Sequence, residues 1–174
     1  MFLTTNFSLD QLLRSEGVSR GDTVLDLSPS LSAATTWAAA KVVGPSGQVF
    51  AFQPNIEHAR SLESERARRG CHQVKILHHH PITPFKTDHI ILFGQTHYRF
   101  DQTDRWGVIE KLLDQNGQVI FIDWLAERAH PLVKTVKQTS SLANLNDAIQ
   151  NSLLYIKSAR HPNPWQYLAI LAQR

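Results

Sequence analysis

A short apolar strand that runs straight into a small-residue loop and an alanine-rich helix restricts this chain more than any other feature. The stretch is Gly21 to Ala40, GDTVLDLSPSLSAATTWAAA. Thr23 to Leu27 is apolar or β-branched apart from Asp26, and the alanine-rich run starts only a few residues later. Strand, tight turn and helix form the opening unit of an α/β fold. In such units the turn after the first strand lies under a ligand, because the next helix presents unpaired N–H groups there. Here that turn is Ser28-Pro29-Ser30-Leu31-Ser32, and no glycine occurs between Gly21 and Gly44.

The rest of the chain continues the alternation. Ser8-Leu9-Asp10-Gln11 has the form of a capping box, and Leu9, Leu12 and Leu13 are spaced for one short helix ending at Gly17. The helix after the serine loop covers residues 33–43, with Ser30 or Ser32 as candidate N-cap, and Gly44-Pro45-Ser46-Gly47 ends it. A strand over Gln48 to Phe52 follows, then a helix opened by Gln53-Pro54-Asn55 and lasting to about Arg69, with Gly70 as its stop. Arg66, Arg68 and Arg69 suit the negative end of that helix dipole, and read as a solvated face rather than a phosphate patch.

Val74 to Leu77 reads as a third strand running into His78-His79-His80, and Asp88 to Phe93 as a fourth whose apolar run implies burial on both faces. A helix over about Thr103 to Leu113, a turn at Asp114 to Gly117 and a strand over Gln118 to Asp123 come next. Ala126 to Asn151 reads as mostly helical, in one piece from near Pro131 and another over Ser141 to Gln150. Leu153 to Ala159 and Trp165 to Ala172 form a hairpin, with Arg160 to Pro164 as its loop. Alternation implies a parallel sheet with right-handed crossovers, and the hairpin forces one antiparallel strand near an edge.

A chain of 174 residues is about one domain. Cys71 is the only cysteine, which excludes an internal disulfide and a cysteine-only metal site. No leader pattern and no apolar run approaching ~18 residues is present, so the expectation is a cytoplasmic protein that does not enter the membrane. The pI of 9.2 rests on a formal charge of only +3, which permits nucleic-acid binding without indicating it.

The strand and loop at Val24 to Ser32 resemble motif I of the class I S-adenosylmethionine-dependent methyltransferases, which usually reads VLDLGxGxG. Other scaffold positions are similar too. RGDTVLDLS stands for pGdxVLDLG, GPSGQVFAFQPN for GpxGxVxaxDxs, and LDQNGQVIFID for LxpGGxxxxxd, while Thr83-Pro84-Phe85 precedes an aspartate-led strand as in the family. The resemblance implies a Rossmann-like, doubly wound seven-stranded α/β sheet of order 3-2-1-4-5-7-6 with strand 7 antiparallel, over a single domain at 1–174.

It also implies where a cofactor, S-adenosylmethionine or S-adenosylhomocysteine, would sit. Asp26 matches the acid that helps hold the amino group of the methionine part. Ser28, Ser30 and Ser32 stand at the three glycine positions, where a Cβ fills space that the ligand uses. Gln53 stands where the family carries an acid that accepts both ribose hydroxyls; an amide loses the charge-assisted component, on the order of 1 kcal/mol. His79, or His80 with a one-residue gap, falls at the adenine position. His97 matches a histidine frequent in small-molecule members, and so is the candidate catalytic base.

With the three ligand positions altered together, the expectation is a methyltransferase-fold protein whose S-adenosylmethionine binding is weakened or lost, acting through a protein partner, a second copy of itself or another ligand. The alternative is an active methyltransferase with an unusual serine loop. A third reading is a histidine-based metal domain, since His78 and His80 share a strand face and His89 or His97 could join them. Polar residues at a sheet edge account for the same histidines, and no metal is expected.

Overall fold

A computed structural model describes residues 8–27, 33–78, 85–93, 103–124, 142–150, 152–163 and 166–173. In chain order its elements are α1 (Leu9–Ser15), β1 (Thr23–Asp26), α2 (Ala34–Val43), β2 (Gln48–Phe52), α3 (Ile56–Arg69), β3 (Val74–Leu77), β4 (Thr87–Phe93), α4 (Thr103–Leu112), β5 (Leu113–Trp124), α5 (Leu142–Ile149), β6 (Leu154–Asn163) and β7 (Gln166–Gln173). The strands form one seven-stranded sheet of order β3-β2-β1-β4-β5-β7-β6. β7 is antiparallel to both β5 and β6, and the other described pairs are parallel. This is the order and the antiparallel strand that the family resemblance implied.

The chain forms two compact units, Met1–His80 and Pro81–Arg174. In the first, β1 pairs with β2 and β2 with β3, and Val24, Leu25, Val49, Ala51 and Val74 are fully buried in the strands. Ala39, Ala40, Val42 and Val43 of α2 are buried too, so the alanine-rich sequence is what a helix needs to lie close on a parallel sheet. Asn55 caps α3 by accepting from His58 N–H at 3.0 Å, and Gly70 ends that helix in the left-handed conformation. Arg66, Arg68 and Arg69 each pair with Glu63 or Glu65 one turn back, the solvated face that the charge pattern implied.

In the second unit, Ile90, Ile91 and Leu92 of β4 pair in register with Val119, Ile120 and Phe121 of β5, which pairs on its other side with β7, where Leu168 to Leu171 are buried as well. Glu110 on α4 ties the start of β6 and the end of β7: it accepts from N–H of Leu153, the residue before β6, through Oε1 at 2.6 Å and from Gln173 Nε2 through its carbonyl at 2.7 Å.

Several sequence expectations are corrected. Ser8 is the N-cap of α1 but makes no capping-box bond; its hydroxyl instead bonds the Asp10 carboxylate, which also pairs with Lys41 at 2.6 Å. The residue capping α2 is Ala33, not a serine. Asp114 to Gly117 is an excursion inside β5 rather than a turn before it: Leu113 pairs with Thr87 and Gln118 with His89, so four residues stand opposite Asp88 alone. With α4 running directly into β5, the carbonyls at the junction are met by neighbours, that of Leu112 at the end of α4 by Thr87 Oγ1 and that of Leu113 at the start of β5 by Lys86 Nζ. The terminal hairpin strands extend to Asn163 and resume at Gln166, leaving a connection shorter than five residues. The helix near Pro131 lies outside the described residues. Among those residues, no helix is long and apolar enough to cross a membrane.

Candidate functional site

The described part of the site lies at the carboxyl ends of β1 and β2, where a doubly wound sheet places its ligands. Asp26 is the last residue of β1, is fully buried, and pairs in register with Ala51 of β2. A buried carboxylate needs donors. Two of them come from the first turn of α2, where Thr35 and Thr36 donate their hydroxyls to the same Oδ2 at 2.6 and 2.7 Å. Both threonines are buried, so the acid ties the end of the strand to the start of the next helix. Only adjacent threonines in an alanine-rich run hinted at this in the sequence.

Ala33 precedes that turn with φ 47° and ψ 35°, and is the one non-glycine residue at positive φ among the described residues. A left-handed alanine costs about 1 to 2 kcal/mol. It is fully buried and its carbonyl accepts from Trp37 N–H at 3.0 Å, so packing and the first helical bond hold it there.

Gln53 follows β2 and extends the ladder by one step, its N–H donating to the Leu77 carbonyl at 2.8 Å. Its side chain is buried, 8% exposed, and Oε1 accepts from Asn55 N–H at 3.2 Å. The side chain is therefore neutral and its carbonyl is turned back onto its own loop. A carboxylate in its place would offer two anionic oxygens to a diol; this amide offers one engaged carbonyl and two N–H donors.

The structure thus brings Asp26 and Gln53 to adjacent strand ends. Ser28, Ser30, Ser32, His79, His80 and His97, the other residues singled out from sequence, lie outside the described residues. His78 closes β3 with an exposed side chain. Among the described residues, no group of three or more His, Cys, Asp or Glu side chains is arranged to hold a metal ion.

No family model matches the chain, and no curated protein matches it. Solved structures do. A SAM-dependent methyltransferase from Aquifex aeolicus superposes with a TM-score of 0.82 at 15% identity, covering 97% of this chain and 92% of that one. The mitomycin 7-O-methyltransferase MmcR gives 0.77 at 14% identity over 96% of this chain, which spans only 53% of that enzyme. The O-methyltransferase from a trans-AT PKS multienzyme of Brevibacillus brevis, solved with S-adenosyl-L-homocysteine, gives 0.71 at 16% identity, covering 94% and 70%. The chain has the class I S-adenosylmethionine-dependent methyltransferase fold.

Proposed function

We propose that this chain is a methyltransferase-fold protein with weakened or lost S-adenosylmethionine binding, and that it acts in the cytoplasm through another ligand, a protein partner or a second copy of itself. The observation that carries this reading is the buried Gln53 amide, whose oxygen is engaged by Asn55 N–H where an acid would receive the ribose hydroxyls. Exchanging a charged acceptor for a neutral one, part of whose capacity is already used, removes about 1 to 2 kcal/mol of ligand binding. Asp26 supports the reading as well, since one of its oxygens is committed to two threonines. Calorimetric titration of the purified protein with S-adenosylhomocysteine tests it: weak or absent heat is expected, and low-micromolar binding would overturn it.

A second reading has its own support. The coverage of 97% of this chain and 92% of the Aquifex aeolicus enzyme favours a working S-adenosylmethionine-dependent methyltransferase with an altered cofactor loop, and His97 is then the candidate base. Methyl transfer to any acceptor that is lost in a His97→Ala variant with unchanged cofactor affinity would establish it.

A further inference from the structure

The excursion inside β5 carries a reactive pair, Asn116 and Gly117. We infer that Asn116 is a site of self-modification: in the folded protein its side chain closes on the Gly117 nitrogen, and water opens the product to a mixture of aspartate and isoaspartate, the second of which loosens β5. The inference is independent of how the chain treats S-adenosylmethionine.

Asparagine is a chemically labile residue, and the residue after it sets how labile. The backbone nitrogen of that residue attacks the side-chain carbonyl carbon of the asparagine. A cyclic imide forms, the bond from that carbon to the amide nitrogen breaks, and ammonia leaves with the proton of the attacking N–H. Water then adds to either imide carbonyl. Opening at the side-chain carbonyl gives aspartate; opening at the backbone carbonyl gives isoaspartate, with the chain rerouted through an added methylene. Water is the co-reactant, and nothing is oxidised or reduced. A Cβ on the following residue crowds the attack, and glycine has none.

The structure singles out Asn116 among the asparagines whose side chains it describes. Asn116 is exposed, and among the described residues its side chain has no hydrogen-bond partner. It stands in the stretch opposite Asp88, where β4 offers no one-to-one partner. Asn55, by contrast, is held by His58 N–H at 3.0 Å and is followed by β-branched Ile56. Asn146 lies inside α5, whose helical bonds take up the N–H of Asp147.

Glycine is fixed at 117 by space rather than by backbone conformation: Gly117 is not among the glycines at positive φ, and a Cβ there would lie 2.8 Å from Leu113 Cγ. The packing that demands glycine therefore keeps the labile pair in place. The same crowding gives the modification a consequence. Isoaspartate inserts a backbone carbon just before Gly117, which has no spare room against Leu113 or the Thr87 carbonyl oxygen. Aspartate at 116 only adds a charge on an exposed side chain.

The folded full chain should be incubated at neutral and at alkaline pH and cleaved with trypsin, and the Leu112–Arg128 peptide followed by mass spectrometry with fragment ions that separate Asn116 from Gln115 and Gln118. Asn116 should lose its amide at least tenfold faster than Asn55 and Asn146, and faster at alkaline pH, because the attacking nitrogen must give up its proton. Asn116→Gln, which would have to close a larger ring, should abolish the reaction at this position. The charge-shifted pool separated by anion exchange should melt lower than Asn116→Asp, since only the pool contains isoaspartate. Loss at Asn116 no faster than at the other two, or only after unfolding in urea, would overturn the site. A pool that melts together with Asn116→Asp would overturn its effect on β5.

Discussion

Thr36 donates its hydroxyl to Oδ2 of Asp26 at 2.7 Å, inside a site that water does not reach. Thr35 shares that oxygen, so the two hydroxyls jointly hold one buried charge. Thr36→Val keeps the side-chain shape and removes one donor. It should cost about 1.5 to 3 kcal/mol, the range for hydrogen bonds to charged groups. The double change with Thr35→Val should exceed the sum of the single ones, because the second loss strips Oδ2 of both threonine donors. Urea denaturation of the two single variants and the double variant measures this, and strict additivity would contradict the shared tie.

Left-handed Ala33 separates two effects that normally run together. Ala33→Gly relieves about 1 to 2 kcal/mol of backbone strain, and loses about 0.8 kcal/mol of methyl burial plus a glycine entropy term of similar size. Stability should stay within about 0.5 kcal/mol of the parent. Ala39→Gly, equally buried but inside α2, has no strain to relieve and should cost about 2 kcal/mol. Equal losses at both positions would show that Ala33 is not strained.

Two glycines make a similar contrast in the other unit. A Cβ on Gly117 would lie 2.8 Å from Leu113 Cγ and 2.9 Å from the Thr87 carbonyl oxygen, and the backbone oxygen cannot swing aside. Gly117→Ala should therefore destabilise by about 1 to 3 kcal/mol. Gly107 lies in α4 with nothing within 4 Å of its would-be Cβ, so Gly107→Ala should stabilise by up to about 1 kcal/mol. Thermal melts that rank the two variants in the opposite order would contradict the tight excursion in β5.

Lys41 and then Ser8 hold the Asp10 carboxyl down at about 2, below its ordinary 3.8. A depressed acid stabilises the fold above its unfolded pKa and loses that contribution as pH falls through the folded one. The stability difference between the parent and Asp10→Asn should thus be constant above about pH 4 and shrink between pH 4 and pH 2. Because Lys41 is largely exposed, salt should diminish the difference as well. A difference that grows on acidification would contradict this pairing.

How much could be read from the sequence differs between scaffold and site. The strands VLDL and QVFAF, the Gly70 stop and the terminal hairpin follow from periodicity and turn chemistry, which also give a parallel sheet with one antiparallel strand, while the full sheet order came only with the family resemblance. Local rules failed where a more distant partner decides. Ser8 turns from its cap to Asp10, which Lys41 of α2 also holds. The excursion at Asp114 to Gly117 is set by β4 pairing on both sides of it, which no local turn signal reveals. At the site, Gln53 was visible as a substitution for an acid, but the direction of its amide depends on Asn55 N–H and is a property of the folded loop. Thr35 and Thr36 carried no recognisable motif, and only the burial of Asp26 gives them a role.

Side-by-side calorimetric titration of S-adenosylmethionine into the parent protein and Gln53→Asp tests the account most directly. The parent should bind more weakly than about 100 μM, less than about 5.5 kcal/mol. The variant, folded by circular dichroism, should gain tenfold or more as the carboxylate supplies the missing ribose acceptor, on the roughly 1.4 kcal/mol per decade scale. Low-micromolar binding by the parent, or no gain in the folded variant, would contradict the role assigned here to Gln53.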